Sequence, residues 1–186
     1  MSFVLPIELQ TSHLLSNFSS DLQIPMEVNI RRVDPQGDEA QRFRKHLHDL
    51  AEPFNHSTND RPRAVFSDDA IVLVAETADH DQIGSVTINP LVPDDPRAKN
   101  LPTGVKLGEI KRMVVLREHQ GTGAARKLLQ VVEEIAKTEL GCQYVAVETL
   151  HTLEPAKRFY EKNGYVRREV YGLYHPEDSQ CYGKWL

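Results

Sequence analysis

Hydrophobic and polar positions first settle into a rhythm at Met26, where Met26, Val28 and Ile30 alternate with Glu27, Asn29 and Arg31. A period of two marks a half-buried strand, and Pro35 and Gly37 end it. The period then lengthens. Phe43, Leu47 and Leu50 share one helical face, Asp38 stands where a cap would, and Pro53 marks the stop. Two apolar runs, residues 70–76 and 83–89, are joined by the polar stretch 77–82 and read as a β-hairpin closed by Pro90. Residues 109–116 predict a strand. About residues 124–139 predict a helix with the stripe Leu128, Val132, Ile135 and Ala136, ended by Gly141. Residues 144–148 predict a further strand, then a helix opening at Pro155, carrying Phe159 and Tyr160 and stopping at Gly164. Two β-like runs, 165–171 and 180–185, complete the pattern.

The order β-α-β-β-β-α-β-α-β-β predicts a mixed α/β (α+β) domain whose helices cover both faces of one sheet. The hairpin rules out a fully parallel sheet. Prolines at 90, 93, 96 and 102, with Asp94, Asp95 and Gly104, predict a long surface loop over residues 90–108. The stretch 52–69 is polar and irregular. Residues 1–25 hold no sustained period and read as a flexible or peripheral arm, leaving 26–186 as the folded domain.

Composition narrows the function. With 40% apolar and 26% charged residues the chain has the makeup of an ordinary globular domain. A formal charge of −5 repels phosphate backbones and argues against nucleic-acid and anionic-membrane partners. Cys142 and Cys181 are too few for a disulfide framework and are not spaced as a zinc site. His46 and His48 stand two apart on a predicted helix and do not face each other, so no metal is expected. The run Phe3-Val4-Leu5 is cut by Pro6 and lacks a basic lead, which suits neither a signal peptide nor a membrane span; a cytoplasmic protein is expected.

Chemistry enters at Gln120-Gly121-Thr122-Gly123-Ala124-Ala125, between a predicted strand and a predicted amphipathic helix. Free backbone N–H groups at a helix N-terminus make an anion site, and glycines let a pyrophosphate approach the main chain. A tight strand-to-helix turn needs the same glycines. A Walker A loop is excluded because no Gly-Lys-Ser/Thr follows, and a dinucleotide fingerprint is excluded because Arg126 replaces its third glycine.

The surroundings resemble the GNAT superfamily of acetyl-CoA-dependent N-acetyltransferases. Residues 109–115 followed by Gln120-Gly121-Thr122-Gly123-Ala124-Ala125-Arg126-Lys127-Leu128-Leu129 are similar to its motif Q/R-x-x-G-x-G/A. Val147-Glu148-Thr149 and Ala156 to Tyr165 are similar to its second motif, A-x-x-x-Y-x-x-x-G-F, with Tyr165 in place of the more frequent Phe. The resemblance spans residues 26–186 and implies a mostly antiparallel sheet splayed between its fourth and fifth strands.

It also implies roles. Acetyl-CoA would lie in that splay, its pantetheine pairing with the main chain of Met113, Val114 and Val115 and its phosphates held by Gln120 to Ala125, with Arg126 or Lys127 near them or merely solvated. Acyl transfer to an amine needs a base, because an alkylammonium is neutral in only about one part in a few thousand at pH 7. Glu109 stands where many members carry one, or is a strand-end carboxylate. Tyr160 would protonate the departing thiolate, and a backbone N–H, that of Val114, would polarise the thioester carbonyl. Glu148 is ambiguous.

The expected reaction moves an acetyl group to a small-molecule or peptide primary amine by direct attack in a ternary complex. A non-catalytic acyl-CoA-binding or regulatory module is the alternative, and Tyr160 separates the two, since a binder needs no leaving-group acid. Acceptor choice falls to the loops 52–69 and 90–108, where Asp68, Asp69, Asp94 and Asp95 attract a cation or are simply solvated. Edge strands near the C-terminus suit a homodimer.

Overall fold

The computed structural model describes residues 27–51, 69–92, 94–172 and 175–186. The arm 1–25, most of the loop 52–69 and Asp68 within it lie outside them. In chain order the elements are β1 (Val28–Val33), α1 (Asp38–Ala51), β2 (Ile71–Thr77), β3 (Gln82–Leu91), β4 (Leu107–Val115), α2 (Ala124–Thr138), β5 (Tyr144–Leu150), α3 (Glu154–Lys162), β6 (Val166–Arg168) and β7 (Ser179–Trp185). This is the predicted order.

The strands form one seven-stranded sheet, β1-β2-β3-β4-β5-β7-β6, in which only β4 and β5 run parallel. Its two faces are read from the alternation of side chains. On one face Leu73, Ile83, Ile88, Ile110, Val145 and Val147 meet the α2 stripe and Tyr160 of α3. On the other, Val72, Val74 and Val114 meet Ala40 and Phe43 of α1, while Leu91, Leu107, Tyr144 and Ala146 meet Ala98, Leu101 and Tyr171. The helices therefore cover both faces. Burying a Val, Leu or Ile side chain contributes roughly 1.5–3 kcal/mol, so these layers are the main force holding the sheet flat against its helices.

Four expectations need correction. Asp38 is the first residue of α1 rather than its cap, and the carbonyl of Gly37 accepts from the Gln41 N–H at 3.1 Å. Pro90 does not end the hairpin: β3 runs on to Leu91, pairing Pro90 with Gly108. β2 pairs with β3 only as far as Ile88, so Pro90 sits where β3 has a neighbour on one side, the place a missing N–H is tolerated. The stretch 90–108 is not wholly a surface loop, because a 3₁₀ turn at Pro96–Ala98 drives Ala98 and Leu101 into the core. Finally, the run 165–171 is a strand only over Val166–Arg168; beyond it the chain leaves the sheet, and the Gly172 N–H bonds the Lys99 carbonyl at 2.9 Å.

Candidate active site

The site begins with a defect in β4. Between Ser85 and Thr87 β3 advances two residues while β4, between Val114 and Lys111, advances three. The extra residue is a β-bulge, and Arg112 beside it has φ 52°. A bulge bends the strand that carries it and sharpens its twist. The bend falls where β4 and β5 part company: they pair only from Leu107↔Tyr144 to Ile110↔Val147, while β4 continues along β3 to Val115 and β5 along β7 to Leu150. The sheet is split between residues 111–115 and 148–150. Met113, Val114 and Val115 lie on the β4 side of the split, Val114 and Val115 with side chains in the core.

At the end of the split the chain turns through a 3₁₀ turn at Arg117–His119 and enters α2. Gln120 Nε2 donates to the Val115 carbonyl at 3.1 Å, and Thr122 Oγ1 donates to the His119 carbonyl at 2.7 Å, which fixes the turn from within. Gly121 and Gly123 have φ of 82° and 93°, and Gly123 is the N-cap. A Cβ built on either glycine meets no atom of the described residues within 4 Å. The turn thus faces open space, into which the first N–H groups of α2 point without intrahelical partners. Ala124 is buried beneath it, and Arg126 is exposed on the first turn. Lys127 turns away from this space, donating from Nζ to the Val28 carbonyl of β1.

A polar cluster occupies the α1 face of the sheet at the root of the split. Glu109, 1% exposed, alternates with Ile110 and so projects to that face, where the Tyr171 hydroxyl donates to its Oε1 at 3.0 Å. Lys111 Nζ lies 3.8 Å from Glu109 Oε1 and 3.7 Å from Glu148 Oε2. Ser179 Oγ donates to Glu148 Oε1 at 2.8 Å. Asn89, across the β3–β4 ladder from Glu109, completes the cluster. Two carboxylates straddling one ammonium can hold a cationic group and exchange a proton with it.

Tyr160 lies on the opposite face. Its ring stacks edge-on against Phe159 and Tyr165, both at 5.4 Å between centroids, and tilts against Tyr182 at 6.1 Å. Burial, followed by the nearby Glu148 carboxylate, pushes its phenol well above the ordinary tyrosine range, so it stays an O–H donor at any physiological pH. Acid and base candidates therefore stand on two faces of one sheet with the split between them.

Sequence reading did not find Tyr171, Lys111, Asn89 or Ser179. Tyr171 was hidden because it belongs to an irregular segment, and only the turn pinned at Lys99 sends it beneath the sheet. The loop carboxylates part ways: Asp69 and Asp94 are exposed, while Arg97 engages Asp95 and holds its carboxyl below the usual range. A cavity of about 590 Å³ beside Leu91, Leu107, Leu140 and Cys142 lies at the far end of β4 from the glycine turn. Among the described residues no three His, Cys, Asp or Glu side chains gather as a metal site, and no helix is long and apolar enough to cross a membrane.

No curated protein matches the sequence. Among solved structures, a Klebsiella pneumoniae subsp. pneumoniae protein named as an acyl-CoA N-acyltransferase superposes with a TM-score of 0.66 at 23% identity, over 86% of this chain and 97% of that one. An acetyltransferase of the GNAT family from Staphylococcus aureus Mu50 gives 0.65 at 14% identity, over 86% and 99%. The spermidine/spermine N-acetyltransferase of Vibrio cholerae gives 0.54 at 17% identity, over 86% and 95%. At such identities these likenesses establish the fold. The family itself follows from the sequence match over residues 38–165, which covers most of the chain and both motifs: this protein belongs to the acetyltransferase (GNAT) family.

Proposed function

We propose that the protein is an acetyl-CoA-dependent N-acetyltransferase that moves an acetyl group to a primary amine by direct attack in a ternary complex. The observation that carries this reading is the split after Ile110↔Val147, with the glycine turn at one end, a carboxylate cluster on one face and a buried phenol on the other. The residues fit the cosubstrate. The glycine turn has no described side chain within 4 Å of a Cβ at Gly121 or Gly123, and β4 from Met113 to Val115 has no β5 partner, as an added extended ligand requires.

Acetyl-CoA supplies the thioester. Gln120 to Arg126 hold its phosphates at the α2 N-terminus, and the main chain of Met113, Val114 and Val115 pairs with its pantetheine. Glu109 takes a proton from the acceptor's ammonium and frees the nitrogen lone pair. The Val114 N–H donates to the carbonyl oxygen as charge builds there. Tyr160 gives its proton to the sulfur as the C–S bond breaks, and regains one from the newly acylated nitrogen. The balance is one amide, one thiol and one proton released from Glu109.

The acceptor is a cationic amine. A polyamine, as for the Vibrio cholerae relative, a smaller amino compound and a peptide amine all share the chemistry that the Glu109, Lys111 and Glu148 cluster recognises. The test is CoA release from acetyl-CoA with a panel of n-butylamine, spermidine, Nα-acetyl-lysine amide and an alanyl peptide. Turnover with at least one amine is expected, and acetyl-CoA binding without turnover on any of them overturns the reading.

A further inference from the structure

Asn89 is a buried side chain whose carbonyl has nothing to do. It is 2% exposed, and among the described residues its Oδ1 has no hydrogen-bond donor. An unsatisfied buried acceptor is destabilising, a cost that an apolar residue of the same shape at this strand position would avoid. Its place is specific. Asn89 is the cross-strand partner of Glu109, and directly opposite residues of an antiparallel pair project to the same face. The orphan oxygen therefore belongs to the polar cluster at the root of the split, where the Lys111 and Glu148 side chains keep 13% and 12% of their surface open.

We propose that Asn89 is a specificity-determining residue of the acceptor site, its Oδ1 accepting a hydrogen bond from the reacting nitrogen and so selecting amines over hydroxyl acceptors. The inference rests on the acetyltransferase reading above and deepens it. A primary ammonium that gives one proton to Glu109 keeps two N–H groups, one of which survives in the amide product. One can point at Asn89 while the lone pair points at the thioester carbon. A hydroxyl acceptor surrenders its only hydrogen to the base. It then brings an oxygen against the Asn89 oxygen, with no donor between them, at the moment negative charge develops. Sites built around a hydrogen bond discriminate against partners that cannot make it far more strongly than apolar pockets do.

The experiment compares the fastest primary amine of the panel with its hydroxyl isostere, in wild-type protein and in Asn89→Leu, which keeps the branched shape and removes the acceptor. Asn89→Ala accompanies it, since it cannot overpack the strand. Calorimetric acetyl-CoA affinity is measured on each variant. The expected result is a fall of tenfold or more in kcat/KM for the amine, an equal or higher value for the hydroxyl isostere, and unchanged acetyl-CoA affinity. An equal fall for both acceptors, or an amine rate within twofold of wild type in either folded variant, overturns the role of Asn89 while leaving the acetyltransferase reading intact. Wild-type protein that binds acetyl-CoA and acetylates no amine overturns both.

Discussion

Tyr171 donates its phenolic hydrogen to Glu109 Oε1 at 3.0 Å across 62 residues of sequence, and both groups are buried. The contact is held from outside: Arg168 lies over the Tyr171 ring at 5.7 Å, donates to the Tyr144 hydroxyl at 3.0 Å and bonds the Asn100 carbonyl. A segment with no regular structure of its own thus fixes the rotamer of the candidate base.

Replacing Tyr171 by Phe removes that hydrogen bond and keeps the ring. Bonds to charged acceptors contribute about 1.5–3 kcal/mol, so a stability loss of that order is expected in urea unfolding. Turnover should fall about tenfold with acetyl-CoA affinity unchanged, because Glu109 loses its orientation rather than the cosubstrate its cradle. A loss of stability with full kcat would make Tyr171 a purely structural residue.

Glu109→Gln tests the base itself. The rate should fall most near neutral pH and recover partly in alkaline buffer, where more of the amine is already neutral. Acetyl-CoA binding should hardly change. A pH–rate profile superimposable on wild type would leave the proton transfer to water.

The cradle is tested by contrast between two glycines. Gly123 and Gly104 both have positive φ, 93° and 75°, and a Cβ on either meets no atom of the described residues within 4 Å. Gly123→Val and Gly104→Val therefore carry similar backbone strain, but only the first sets its methyl groups before the α2 N-terminus. Gly123→Val should weaken acetyl-CoA binding more than tenfold, over about 1.4 kcal/mol, and Gly104→Val should not. Equal effects would reduce the turn to a strand-to-helix connection.

How far the sequence speaks depends on the range of the interaction. The element order was legible throughout, because it rests on local periodicity and on breakers such as Gly141 and Gly164. The glycine turn was legible for the same reason. The split required the family resemblance, since its cause, an extra residue of β4 beside Arg112, is a register between β3 and β4 that no local pattern records. Asn89 read as the last polar residue of a hairpin and Lys111 as one letter of a motif; what makes them interesting is which residues face them across strands. Tyr171 was the least visible, being placed by a loop whose anchor, Lys99, lies far away in sequence.

The tyrosine cluster gives a pH dependence. Burial, and then the Glu161 carboxylate that accepts from its hydroxyl, push Tyr182 up to about 12, and burial pushes Tyr160 and Tyr165 higher. In the unfolded chain all three titrate near 10. Above that pH the unfolded state binds fewer protons than the folded one, so stability is complete below about pH 10 and falls as pH rises through 12. The melting temperature should decline steeply above pH 10, and less steeply in Tyr165→Phe. Identical slopes in the two proteins would assign the alkaline loss to other groups.

The same burial bears on catalysis through Tyr160. A phenol held protonated well past neutrality carries its proton at every physiological pH, which is the form that protonation of a departing thiolate requires, while the same shift weakens it as an acid. Tyr160→Phe keeps the ring and its edge-on contacts with Phe159 and Tyr165, so fold and acetyl-CoA affinity should survive. A general acid typically contributes 10²- to 10⁴-fold, and a fall of about a hundredfold in kcat with little change in KM is expected. Steady-state rates alone do not isolate the step, because a thiolate with a conjugate acid near the cysteine value of about 8.5 leaves fairly well and product release can limit turnover. Single-turnover measurement with an established acceptor isolates it. There the wild-type chemical step should show no alkaline decline attributable to Tyr160 up to about pH 10, and the Phe variant should be slow at every pH. A variant whose chemical step matches wild type removes Tyr160 from the mechanism and leaves its ring a packing element of α3.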